Sequence, residues 1–119
     1  MAMKEIYRNA IATHGASLVK YIGLVNDQAA ELSGGGYERK QVYWGDPDDG
    51  VIRPYANSAK TEDLLFDVPA GKVGGWRGYS AKTGGTDYGG SNVTVETYAA
   101  AGEYRLKASL TAIKHIETV

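Results

Sequence analysis

The chain of 119 residues is long enough for one ordinary domain, since a second independent core would leave each half too small to bury enough apolar surface. Thirteen basic side chains against fourteen acidic ones give a formal net charge of -1, so no broad positive field draws in a phosphate backbone or an anionic membrane, and no nucleic-acid partner is expected. Cysteine is absent, which removes disulfides, thiolate metal sites and cysteine nucleophiles together, and no apolar run approaches the roughly 18 residues that a membrane-spanning helix needs.

Hydrophobic residues make up 43% of the chain and charged ones 23%, enough of the first to build a folded core. The bias lies in 16 Gly and 9 Tyr against a single Phe, which predicts tight turns joined to strands whose aromatic rings keep a polar edge. The first residues, Met-Ala-Met-Lys-Glu-Ile-Tyr-Arg, lack the uninterrupted apolar stretch of a signal peptide, so the expectation is a protein made in a cytosol and kept soluble.

In chain order, residues 3–14 put Ile6, Ala10 and Ile11 near one helical face and Glu5, Arg8 and Asn9 opposite, with Gly15 as the stop. A short amphipathic helix within residues 1–15 is expected, docked in part on its own domain because Ile6 and Ile11 form too narrow a stripe for a large separate interface. Residues 17–25 are dense in strand formers and read as the first central strand. Ser33-Gly34-Gly35-Gly36 is a loop or bulge, because three glycines lose too much backbone entropy in a regular element. Residues 37–44 alternate Arg39, Gln41 and Tyr43 with Lys40, Val42 and Trp44, the pattern of a half-buried strand. Residues 45–50 form a turn cluster, and 53–58 an extended loop.

Residues 62–68 predict a strand closed by Pro69-Ala70-Gly71. Val73, Trp76 and Tyr79, set among Gly74, Gly75 and Gly78, predict a bent strand with close backbone approach over 73–80. Gly84-Gly85 and Gly89-Gly90 bracket Thr86-Asp87-Tyr88 as hairpin punctuation, 93–97 is a strand and 99–102 a corner. Beyond it residues 103–119 read as two strand-length segments or one long bulged strand: Tyr104, Leu106, Ala108 and Leu110 share one face while Ile113 falls out of phase, which predicts a bulge or bend around Thr111. Short strands with regular turn signals give a mainly β fold: a single antiparallel β-sandwich or jelly-roll-like domain over 1–119, with the helix at 1–15 and the sandwich at 17–119.

Few residues suggest chemistry. Asp46, Asp48 and Asp49 with Gly50 bring oxygen ligands together, yet the spacing does not fit an EF-hand and an acidic turn is the better reading. His14 and His115 stand far apart and read as surface or interface histidines. Glu62 and Asp63 must point to opposite faces of a strand, which leaves Asp63 and Asp67 together on one solvated face. Ala70-Gly71-Lys72 and Ala81-Lys82-Thr83-Gly84-Gly85 lack the spacing of a phosphate-binding loop. No catalytic residue, metal or cofactor is expected. Trp44, Tyr55, Trp76, Tyr79 and Tyr88 form a candidate interaction surface, since flat rings pack on sugars while their polar edges stay wet; the competing reading puts both tryptophans in the core and several tyrosines at subunit contacts.

The run Ser33-Gly34-Gly35-Gly36-Tyr37-Glu38-Arg39-Lys40-Gln41-Val42-Tyr43-Trp44 resembles the hallmark of the short tail-fibre or minor tail proteins of actinobacterial and related tailed phages, in which Ser-Gly-Gly-Gly-Tyr-x-Arg precedes a strand ending in an aromatic. Asn57-Ser58, then Phe66-Asp67-Val68-Pro69-Ala70-Gly71, then Trp76, then Thr83-Gly84-Gly85-Thr86-Asp87-Tyr88-Gly89-Gly90 follow in the same order. Arg77 and Gly78 depart from the apolar residues of the family, and the segment 48–56 is longer and more charged.

The resemblance implies a virion protein made in the host cytoplasm, assembling through symmetric contacts with itself, as a trimer if it forms a fibre, and with other virion proteins. A head fibre or capsid decoration protein, or a module that binds a host surface glycan, are the alternatives. Its structural residues would be Gly34, Gly35, Gly36, Tyr37, Arg39, Pro69 and Gly71. Gly36 is expected at positive φ, aiming the Tyr37 ring across a sheet, and Arg39 over that ring or paired with a carboxylate. Pro69 and Gly71 would end a strand and reverse the chain.

Overall fold

A computed structural model describes residues 4–108 and 111–114. The chain opens with helix α1, Glu5–Leu18, whose first turn carries Glu5 where the helix dipole favours an acid. Gly15 does not stop this helix. It sits inside the last turn, and the helix runs on because Ala16, 3% exposed, packs with Ala12 and Ile52 beneath the Trp44 ring; this burial outweighs the roughly 1 kcal/mol that a glycine costs a helix interior.

The docked face is also the reverse of the expected one. Ile6 is 78% exposed and Ala10 is exposed, while Arg8 and Asn9 turn toward the body of the protein and meet the loop at Asp49 and Gly50. Small side chains let the helix approach closely along Ala12 and Ala16, while Ile11 is half-buried and Ile6 is left in solvent.

Strand β1, Tyr21–Val25, begins after this helix, so residues 17 and 18 belong to the helix and not to the central strand. It is central, as expected, in an antiparallel four-stranded sheet of order β2-β1-β7-β8, where β2 is Lys40–Gln41, β7 is Gly71–Tyr79 and β8 is Asp87–Tyr98. Tyr21 lies opposite Tyr79 and Leu24 opposite Trp76. Strand β6, Leu64–Val68, pairs with β9, Gly102–Leu106, and alternates buried and exposed residues as the period-two pattern requires. The two layers pack face to face, Ile22, Leu24, Val73 and Trp76 from one against Leu64, Phe66, Val68, Tyr104 and Leu106 from the other.

The single strand expected over 37–44 is divided. Lys40 and Gln41 pair with β1, buried Val42 donates its N–H to Lys20 O at 3.1 Å, and Tyr43–Trp44 (β3) pairs instead with Pro54–Tyr55 (β5), inside the segment expected to be loop. Between them Val51–Ile52 (β4) follows a tight turn in which Asp48 and Val51 exchange both backbone bonds, at 2.8 and 3.0 Å, around Asp49 (φ 50) and Gly50 (φ 82). That Asp-Gly turn has the left-handed backbone a two-residue hairpin needs. The corner at 99–102 carries the chain from β8 to β9 in the other layer. Thr111 Oγ1 donates to Lys107 O at 2.9 Å before Ile113–Lys114 (β10) pairs with β4, while the bulge or bend expected around Thr111 runs into residues 109 and 110, outside the described residues. Leu110 and His115 lie outside the described residues.

Candidate interaction surface

The β7–β8 hairpin is built on glycine from both sides. A Cβ on Gly75 would stand 2.8 Å from Ser91 O, and one on Gly90 would stand 2.0 Å from Trp76 O, so the strands approach closer than alanine permits. Gly89 and Gly90 therefore do not punctuate a turn before a strand; they lie within β8, where the register shifts between Arg77 and Tyr79 and lets the strand bulge. The turn itself is made by Gly84 (φ 62) and Gly85 (φ 70).

Strand β8 is the long edge of the sheet. Over Asp87–Tyr98 every residue is exposed except half-buried Val93 and Tyr98, and among the described residues β7 is the one strand that pairs with it. Its charges, Asp87 and Glu96, are both acidic, and it holds no lysine or proline of the kind that protects a free edge. Tyr88 at 47% and Val95 at 46% are large apolar groups left in solvent along it. Beside the hairpin, a groove of about 560 Å³ runs between the end of α1 and β8, with Leu18, Val19, Trp76, Tyr88, Val93 and Ala112 along its walls. Gly15, Gly78, Gly89 and Gly90 keep it open, and a Cβ on Gly78 would stand 2.7 Å from Val19 Cγ1.

Of the aromatic residues selected from the sequence, Trp76 and Tyr88 come together in this groove; the others do not join them. Trp76 is 5% exposed and belongs to the core, so Tyr88 is the ring that solvent reaches. Trp44 packs against both apolar clusters and donates its Nε1–H to Val19 O at 2.8 Å. Tyr55 is half-buried and lies against Gly45, where an added Cβ would meet its ring at 3.0 Å. Tyr79 points away from Trp76, to the opposite face of β7.

On that opposite face the glycine motif forms a closed polar clamp. Gly34, Gly35 and Gly36 all have positive φ, at 85, 64 and 82°, and a Cβ on Gly35 would fall 2.6 Å from Pro69 Cα. The loop so folded delivers Tyr37, whose ring stacks near Phe66 with centroids 6.4 Å apart, and whose hydroxyl accepts Leu24 N–H at 2.9 Å and donates to Glu31 Oε2 at 2.7 Å. Arg39 does not lie over the Tyr37 ring. Its guanidinium sits 3.5 Å from the Tyr79 ring centre, pairs with both Glu31 oxygens at 2.8 and 2.9 Å, and donates to Ala81 O and Gly84 O. Gly23 makes room: its Cβ would meet Tyr37 Oη at 2.5 Å. Gly71, at φ 133, begins β7 after half-buried Pro69.

The Arg39 hydrogen bond, helped by that of Tyr37, holds the Glu31 carboxyl below its ordinary range against an opposing desolvation. Burial first, and the neighbouring Glu31 second, push the Tyr37 hydroxyl well above its ordinary value. Glu31, Tyr37 and Arg39 are bonded to one another and to backbone groups of β1 and of the β7–β8 turn, which fastens the loop to the sheet. Glu31 went unnoticed in the sequence, although the possibility of a carboxylate partner for Arg39 pointed toward it.

Elsewhere, Asp63 accepts Ala108 N–H at 2.9 Å and lies 3.6 Å from Arg105, and Asp49 pairs with Arg8. Among the described residues no three or more His, Asp or Glu side chains gather closely enough to hold a metal ion, and no helix is long and apolar enough to cross a membrane. No family model, no curated protein and no solved structure matches the chain.

Proposed function

We propose that this chain is a non-catalytic assembly module of a bacteriophage particle, of the minor tail or tail-fibre kind, and that it joins copies of itself and neighbouring virion proteins along the β8 edge. The observation that carries the proposal is the exposure of β8 on both faces over nearly its whole length, with its outer backbone edge unpaired among the described residues. Such an edge is a template for another strand, and pairing it in a closed symmetric assembly satisfies the backbone while covering Tyr88 and Val95. The virion setting draws on the glycine motif, two of whose separated landmarks, Gly35 and Pro69, meet in the fold.

Sedimentation of the purified chain across a wide concentration range tests the proposal. The expected result is a discrete oligomer that Val95→Lys converts to monomer without loss of fold. A wild-type chain that stays monomeric at every concentration contradicts it.

A further inference from the structure

Arg8 and Asn9, successive residues of α1, both close on one dipeptide at the tip of the 48–51 turn. Arg8 donates from Nε to Asp49 Oδ1 at 2.9 Å and from Nη2 to the same oxygen, and the buried Gly50 N–H donates to Asn9 Oδ1 at 2.8 Å. Among aspartyl sequences, aspartate followed by glycine is the most prone to cyclise, because glycine puts no side chain in the way of its own nitrogen. The Gly50 nitrogen attacks Asp49 Cγ, a C–N bond forms, and a C–O bond of the carboxyl breaks with release of water. Water then opens the five-membered imide at either carbonyl, giving aspartate again or isoaspartate, with no change in oxidation state.

We infer that Asp49-Gly50 is an isoaspartate-forming site kept silent by the docked helix. The oxygen tied to Arg8 is one of the two that can leave, the nitrogen that must attack is tied to Asn9, and the two backbone bonds between Asp48 and Val51 resist the rotation that would bring nitrogen and carbon together. Among the described residues the side-chain restraint comes from Arg8 and Asn9, in one turn of one helix, so it is lost in a single step when α1 lifts. The apolar seat of α1 is made, among the described residues, of Ala12, Ala16 and Ile52 with Trp44 packed against them, so lifting this one helix costs less than global unfolding. Isoaspartate adds a methylene to the main chain of a two-residue turn, which misplaces Gly50 N–H from Asn9 and prevents the helix from returning to its seat. Asp49-Gly50 thus keeps a long-lived record of helix release, erased only by slow return through the same imide.

The test compares the folded wild-type chain with the same chain in concentrated guanidinium, both aged in neutral buffer, with isoaspartate at position 49 quantified by isoaspartyl methyltransferase labelling and peptide mapping. The folded chain is expected to react at least about tenfold more slowly than the unfolded one, the gating factor for a local opening of modest free energy. Asn9→Ala and Arg8→Met, each shown by circular dichroism to be folded, are expected to move the rate toward the unfolded value. Equal rates in folded and unfolded wild type overturn the inference, and so does an unchanged rate in the folded variants. Should one variant fail to fold, the other and the wild-type comparison decide the matter.

Discussion

The guanidinium of Arg39 lies 3.5 Å from the ring centre of Tyr79 and is held there by both oxygens of Glu31, so one side chain joins the glycine loop, β1's neighbourhood and the start of the β7–β8 turn. A planar cation is required, since it stacks on the ring and forks onto a carboxylate at the same time. Arg39→Lys is expected to cost about 1–2 kcal/mol and Arg39→Ala about 2–3 kcal/mol in chemical denaturation, the second leaving Glu31 without its counter-ion. A lysine variant as stable as the wild type would remove the stacking argument.

The clamp also sets the pH dependence. Glu31 has a folded value below the ordinary 4.5, so its contribution is complete above that pH and is lost as pH falls through the lowered value. Tyr37 has a folded value above the ordinary 10.0, so its contribution is complete below pH 10.0 and disappears as pH rises beyond it. Glu31→Gln should flatten the acid limb of a stability profile and Tyr37→Phe should flatten the alkaline limb only in part, because burial raises Tyr79 and Tyr104 as well. Profiles that keep both limbs in both variants would contradict this assignment.

Glycine substitutions separate space from backbone strain. At Gly90 a methyl group would stand 2.0 Å from Trp76 O, whereas Gly89 at φ 84 has open space around its Cβ position. Gly89→Ala is expected to cost about 1 kcal/mol of strain and Gly90→Ala about 1–3 kcal/mol of overpacking, with separation of β8 from β7. Equal and small effects in thermal denaturation would show that the hairpin is not held as closely as described.

Phe66 is the one phenylalanine of the chain and is wholly buried between the layers beside Tyr37. Phe66→Ala should cost about 3–5 kcal/mol, a large fraction of the stability of a domain this size. A loss below about 1 kcal/mol would mean that the layers do not share this core.

Where a signal in the sequence was local, it was legible. The alternation of Leu64–Val68, the glycine-bent strand at Val73 and Trp76, and the corner at 99–102 all arise from period-two patterning and turn residues that act within a few positions. The stop and the docked face of the helix are not legible in the sequence, because Gly15 and the Ile6–Ile11 stripe are local signals overruled by the fit of Ala12 and Ala16 to Ile52, a partner some forty residues away. The division of 37–44 at Val42 follows from the competition of two partner strands, which alternation alone does not reveal. The same holds for the candidate surface: an aromatic is equally at home in a core and on a face, and Trp76 is buried against the β6–β9 layer while Tyr79, on the other face of β7, is covered by Arg39.

Hydrogen exchange of the β8 amides, followed as a function of protein concentration, bears most directly on assembly along this edge. Protection of 90–97 that rises with concentration, while the β6 and β9 amides keep constant protection, is the predicted result. Fast, concentration-independent exchange along the whole outer edge of β8 would contradict it.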